Sequence, residues 1–178
     1  MNVTIRKGYL LSSSRKAFVF GLKLLSVILI SLSPSQLAAA EKFDGQFIAA
    51  EVARAIASPD NTVEIIVAQP IDLVFDALLS RLAEYSESIS DISFDNSNSQ
   101  NSAAVGVGSQ RITTMDDGKR LVQRIIIFEP PNTFAYFTDM AKSTVSVPIG
   151  YSIGYYQFSE LQDKTVKAEV SVAYKPSS

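Results

Sequence analysis

The stretch from Gly106 to Tyr136 constrains this chain most. It runs as an apolar-polar alternation, then Asp117-Gly118, a second alternation, then Glu129-Pro130-Pro131-Asn132, and a third run opening at Thr133. Asp-Gly between alternating runs is a hairpin signal, because glycine accepts the positive φ that two-residue hairpin turns demand. Neither proline can donate to a ladder, so the chain must turn at the Pro-Pro pair and start again. Three strands are expected at 107–115, 119–128 and 133–140. They form an antiparallel meander around which the other segments are placed.

The same alternation extends in both directions. Thr62–Val67 alternates Val63, Ile65 and Val67 against polar residues, and Asp91–Asp95 is a short strand candidate. Tyr151–Leu161 and Thr165–Tyr174 follow the meander, joined by a turn at Gln162-Asp163-Lys164. Ala68-Gln69-Pro70 breaks the first strand. Ile71, Val74, Phe75, Leu78 and Leu79 then recur at helical spacing, with Pro70 at the helix start, where its missing N–H costs nothing. Ser80–Ser88 suits a second short helix. Phe43–Ser58 carries Ile48, Val52, Ala55 and Ile56 at helical spacing and ends at Pro59. Asn96–Ser102 is polar and low in complexity, and is expected to be an exposed, mobile loop.

The first forty residues are expected to be an export leader. Arg6, Lys7, Arg15, Lys16 and Lys23 are their only charged groups, and an apolar run ends at Ser33-Pro34. Leu37-Ala38-Ala39-Ala40 then places small residues at −3 and −1 of a cut before Glu41. The uninterrupted apolar run after Lys23 is too short to span a bilayer. The mature chain is therefore expected in the periplasm of a Gram-negative cell, or secreted otherwise. Residues 41–61 are an N-terminal extension and 62–178 the domain.

All 18 acids lie beyond residue 40, together with 11 of the 16 bases, a balance of −7. A body of that charge argues against nucleic acid as a partner. The 178 residues contain no cysteine and no histidine. That excludes thiolate and Ser-His-Asp chemistry and His- or Cys-ligated metal within this chain. No cofactor is implied. Gly106 and Gly108 lack the third glycine and the following helix of a phosphate loop; close strand approach explains them better. Asp72, Asp76, Glu84 and Glu87 are best explained as a solvated helix face.

This order of elements, with three local motifs, resembles the helix-grip superfamily. That group takes in the steroidogenic-regulatory-protein-related (START-like) lipid-transfer domains, the birch-pollen-allergen-like proteins and the polyketide cyclase/dehydrase proteins; the chain looks closest to the last branch. The motifs are Ala68-x-Pro70-x-x-x-Val74-Phe75-x-x-Leu78, Gly106-Val107-Gly108-Ser109-Gln110-Arg111, and Glu129-Pro130-Pro131 followed by Phe134-Ala135-Tyr136. The resemblance covers about residues 62–176. It implies an α+β fold: a curved seven-stranded antiparallel sheet with two short helices after strand one, gripping a long C-terminal helix over an apolar cavity. Here the chain stops at Ser178 where that helix would run. Val166, Val170 and Val172 would lose a partner, at about 1.5–3 kcal/mol for each fully buried side chain. A truncated product is the favoured explanation, ahead of self-association through the uncovered face and cover by the 43–58 helix.

Alternation places Leu121, Gln123, Ile125 and Ile127 on the inner wall, opposite Arg120 and Arg124. With Tyr136, Tyr155, Val170 and Arg111 they are the expected lining of a site for a small apolar or amphipathic ligand, a lipid or an aromatic metabolite. Arg111 either meets an anionic group or pairs with Asp116, Asp117 or Glu129. Gln123 either orients a ligand or bonds within the wall. The alternatives are a polyketide cyclase- or dehydratase-like enzyme, and an interaction module or truncated remnant without ligand. The absence of histidine and of a placed carboxylate pair favours binding over catalysis.

Overall fold

The computed structural model describes residues 4–5, 43–101, 104–140, 142–162 and 165–177. Apart from Thr4 and Ile5, the expected leader lies outside these residues, as do Ser102, Asp163 and Lys164.

Seven antiparallel strands follow the alternation: β1 (Asn61–Val67), β2 (Ile89–Asp95), β3 (Gln110–Met115), β4 (Arg120–Glu129), β5 (Thr133–Asp139), β6 (Ile149–Glu160) and β7 (Val166–Pro176). They form one curved, unclosed sheet in the order β1-β7-β6-β5-β4-β3-β2, and Thr4–Ile5 pairs parallel along the free edge of β1. Two helices accompany it, α1 (Gly45–Ala57) and α2 (Ile71–Ser80). The expected second helix after strand one is a single 3₁₀ turn at Leu82–Glu84. Among the described residues no long helix follows β7.

Each helix covers a different face. The inner face carries Phe134, Tyr156, Phe158, Val166, Ala168 and Val170, packed with Val74, Phe75, Leu78 and Leu79 of α2 and Leu82 of the 3₁₀ turn. Phe75 is the hub: its ring meets Phe134 and Phe158 at 5.3 Å each and Phe128 at 6.0 Å. Val166 and Val170 are each 1% exposed. The expectation that they would be left uncovered is therefore not met, because they join the α2 cluster within one chain. The outer face carries Phe137, Ile153 and Ala173, and α1 lies against it through Ile48 and Ala55. The 45–57 helix thus does not substitute as a cover for the inner face.

Three contacts anchor α1. Asp44 caps it, its carboxylate accepting from Phe47 N at 2.8 Å. Phe43 and Phe47 pack their rings on Tyr151 at 5.1 and 5.3 Å. Arg54 donates to Glu51, to Asp60 and to the backbone carbonyl of Tyr174, while Asp60 accepts from Tyr174 N.

One turn differs from expectation. The Asp117-Gly118 hairpin is a three-residue loop, closed by Met115 N donating to Lys119 O, with Gly118 at φ +79°. The polar loop after β2 is tied down: Gln100 N donates to Val107 O and Ser99 Oγ to Ala104 O. Gly108, at φ +95°, lies so close beneath Asn98 O that a Cβ would collide with that oxygen at 2.1 Å. Backbone and serine side-chain bonds together hold the loop.

Phe75→Ala should cost about 3–5 kcal/mol, the range for emptying a buried aromatic site. Urea unfolding at unchanged m-value is the check. A loss under about 1 kcal/mol would show that the Phe75 cluster does not hold α2 to the sheet.

Candidate ligand-binding face

The inner face is organised by one transverse row. Arg111 of β3 lies opposite Gln123 of β4, Gln123 opposite Thr138 of β5, Thr138 opposite Ser152 of β6, and Ser152 opposite Tyr174 of β7. Successive partners in register share a face, so five polar side chains cross an otherwise apolar wall. Ser152 Oγ donates to Thr138 Oγ1 at 2.7 Å, closing the middle of the row.

Arg111 starts the row and is 2% exposed. Its Nε donates to Leu79 O at 2.7 Å, Nη2 to Leu78 O at 3.3 Å, and Nη1 to Gln123 Oε1 at 2.7 Å. Leu78 and Leu79 are in the last turn of α2, whose final carbonyls have no helical partner and carry the negative end of the helix dipole. A guanidinium fork is the side chain suited to reach several such acceptors at once. The cation also lies 5.8 Å from the Tyr136 ring centre. Neither Asp116, Asp117 nor Glu129 pairs with it: helix carbonyls and Gln123 take that role. Gln123 bonds within the wall.

One row along, Tyr136 lies flat across Gly154, its partner on β6; a Cβ there would sit 2.6 Å from the ring. That clearance lets the Tyr136 hydroxyl reach the Tyr156 hydroxyl at 2.9 Å. Tyr156 is 1% exposed and stacks on Phe134 at 4.3 Å. Burial, and then the neighbouring Tyr136, hold its phenol well above the ordinary tyrosine range, so it is neutral at any physiological pH. On the other side of the row Thr113 is 4% exposed, and its Oγ1 has no hydrogen-bond partner. Buried hydroxyls are rarely left so.

Of the expected lining residues, Arg111, Leu121, Gln123, Ile125, Tyr136 and Val170 share the inner face. Ile127 and Tyr155 do not. A β-bulge between Ile125 and Ile127 shifts the register, so Ile127 pairs with Ala135 and Phe128 takes the inner position opposite Phe134. A one-residue slip exchanges the faces of everything beyond it. Tyr155 pairs with Ala135 and Ser171 and points outward, while its neighbour Tyr156 points in. Thr113, Thr138 and Ser152 are not marked by the sequence alone; the signal for them is period two counted across correctly registered hairpins.

No group of three or more Asp, Glu, His or Cys that could hold a metal occurs among the described residues.

Among solved structures, the chain is similar to the protein designated Ara h 8.0201, at 17% identity and a TM-score of 0.52, over 66% of this chain and 77% of that one. An uncharacterised protein from Bacillus thuringiensis matches at 16% identity and 0.51, over 66% and 78%. The protein XoxI from Bacillus cereus matches at 16% and 0.51, over 65% and 75%. No family model and no curated protein matches the sequence. These likenesses show the fold: a helix-grip sheet.

Two outcomes follow from this geometry. Arg111→Lys should destabilise by about 1–3 kcal/mol for each helix carbonyl left without a donor, measured by urea unfolding; stability equal to the parent would contradict the fork. Stability should also fall above about pH 10, the ordinary tyrosine value, because the unfolded chain then releases a proton that folded Tyr156 retains. Tyr151 adds to this, being pushed up to about 12 by burial and by Glu51. Unfolding curves across that range should be flatter for Tyr156→Phe than for the parent. Identical pH profiles would contradict the assignment.

Proposed function

We propose that the protein is an exported binding domain for a small apolar or amphipathic ligand, a lipid or aromatic metabolite, held against the inner sheet face. The observation that carries the reading is the transverse row: an apolar wall crossed by a few polar groups, with the buried Thr113 hydroxyl left without a partner beside it. Ligand sites are commonly mostly apolar surfaces with a few fixed polar groups. A ligand oxygen or N–H placed against Thr113 would satisfy that hydroxyl. Tyr136 and the row would then set its orientation, and Arg111 would stay occupied with the helix.

Binding is preferred to cyclase-like catalysis on chemical grounds. A general base must be ionisable near the working pH, and the buried tyrosine of this face is held far from it. Export rests on the leader pattern, with cleavage between Ala40 and Glu41, and the periplasm as destination in a Gram-negative cell.

The purified protein should raise the fluorescence of an apolar dye, and a natural lipid extract should displace the dye. Thr113→Val, which keeps shape and removes the hydroxyl, should weaken displacement about fivefold or more, in line with about 1–3 kcal/mol for a buried polar group. A protein with a folded sheet by circular dichroism that binds neither dye nor lipid would overturn the reading. Mass spectrometry of the exported protein should give Glu41 as its first residue.

A further inference from the structure

The outer face holds an apolar cleft between α1, which lies over β6 and β7, and the bulged part of β4. Phe43, Ile48, Ala49 and Val52 make one wall, and Ile126 and Ile127 the other. Its volume is about 500 Å³, within the range of small-molecule sites. The β-bulge creates this wall: it turns Ile127 out of the inner face and sets it beside Ile126, so two large apolar side chains face α1 together. Arg124 lines the same cleft. It is exposed, its guanidinium lies 5.7 Å from the Phe137 ring centre, and among the described residues it has no carboxylate partner. Asp44 stands between two lining residues but turns its carboxylate into the helix cap. The cleft therefore offers apolar walls and one positive charge that has no carboxylate partner among the described residues.

We propose that this outer cleft is a second binding site, separate from the inner face, for a carboxylate amphiphile of the fatty-acid type. The hydrocarbon lies between Ile48, Val52, Ile126 and Ile127, and the carboxylate meets Arg124. One guanidinium matches one monoanion, and the fork geometry of guanidinium suits a carboxylate. Burial of the chain supplies most of the affinity, and the charge selects the acid over the alcohol.

Octanoate and 1-octanol are the probes, titrated into the full-length protein and followed by amide chemical shifts. Octanoate should give saturable shifts centred on Ala49, Val52 and Ile126. Ala49→Phe, at an exposed helix position, should fill the cleft and abolish binding of both probes. Arg124→Gln should weaken octanoate about tenfold, the scale of one charged hydrogen bond, and leave octanol within about twofold of the parent. Shifts confined to inner-face residues would overturn this site while leaving the inner-face proposal standing. Unchanged octanoate binding in Ala49→Phe, equal weakening of both probes by Arg124→Gln, or no saturable shift would also overturn it.

Discussion

The structure depends on where one buried positive charge finds its partners. Arg111 comes from β3, next to the edge strand β2, and its fork closes the carboxyl end of α2. Moving a guanidinium out of water is costly unless its donors are met. Here three of its five N–H donors are met by two backbone carbonyls and an amide oxygen, not by a carboxylate. The arrangement docks the helix in one position: sliding α2 along the sheet would strand both the cation and the carbonyls. The Phe75 ring cluster adds burial to that docking but no comparable directional constraint.

With α2 fixed, the rest of the inner face follows. Gln123 is committed to Arg111, so the polar row begins with a satisfied pair and continues through Thr138 and Ser152. The Tyr136 ring needs a partner strand with no side chain, and Gly154 provides it. The same two-residue period that builds this wall puts Phe137, Ile153 and Ala173 on the opposite side, where α1 covers them. A sheet with both faces apolar needs cover on both. Here the two helices divide that task, one at the end of the inner face and one across the outer.

Much of this was legible in the sequence, and the failures have physical causes. Strand positions followed from alternation, and the turn sites from Gly118 and the Pro-Pro corner. Faces were less secure. Ile127 and Tyr136 cannot both face inward, since Ile127 pairs with Ala135, the neighbour of Tyr136. Alternation carries no mark of a bulge inside a run of three isoleucines, Ile125 to Ile127. Tyr155 and Tyr156 present the same ambiguity: adjacent identical residues give period two nothing to choose between. Arg111 is marked in the sequence as the last residue of the Gly106–Arg111 motif. Its partners are not, because a helix carbonyl has no residue identity to search for. The nearby acids do have such an identity, but none of them pairs with Arg111. Thr113 became visible only once burial was known.

The central claim is that the Arg111 guanidinium is locked against the end of α2. Hydrogen exchange at the Arg111 Nε–H, followed by nuclear magnetic resonance, tests it most directly. The account predicts exchange slowed to the level of the buried amides of β4 and β5, with the exposed Arg124 Nε–H exchanging freely as the internal reference. Exchange at Arg111 as fast as at Arg124 would contradict it.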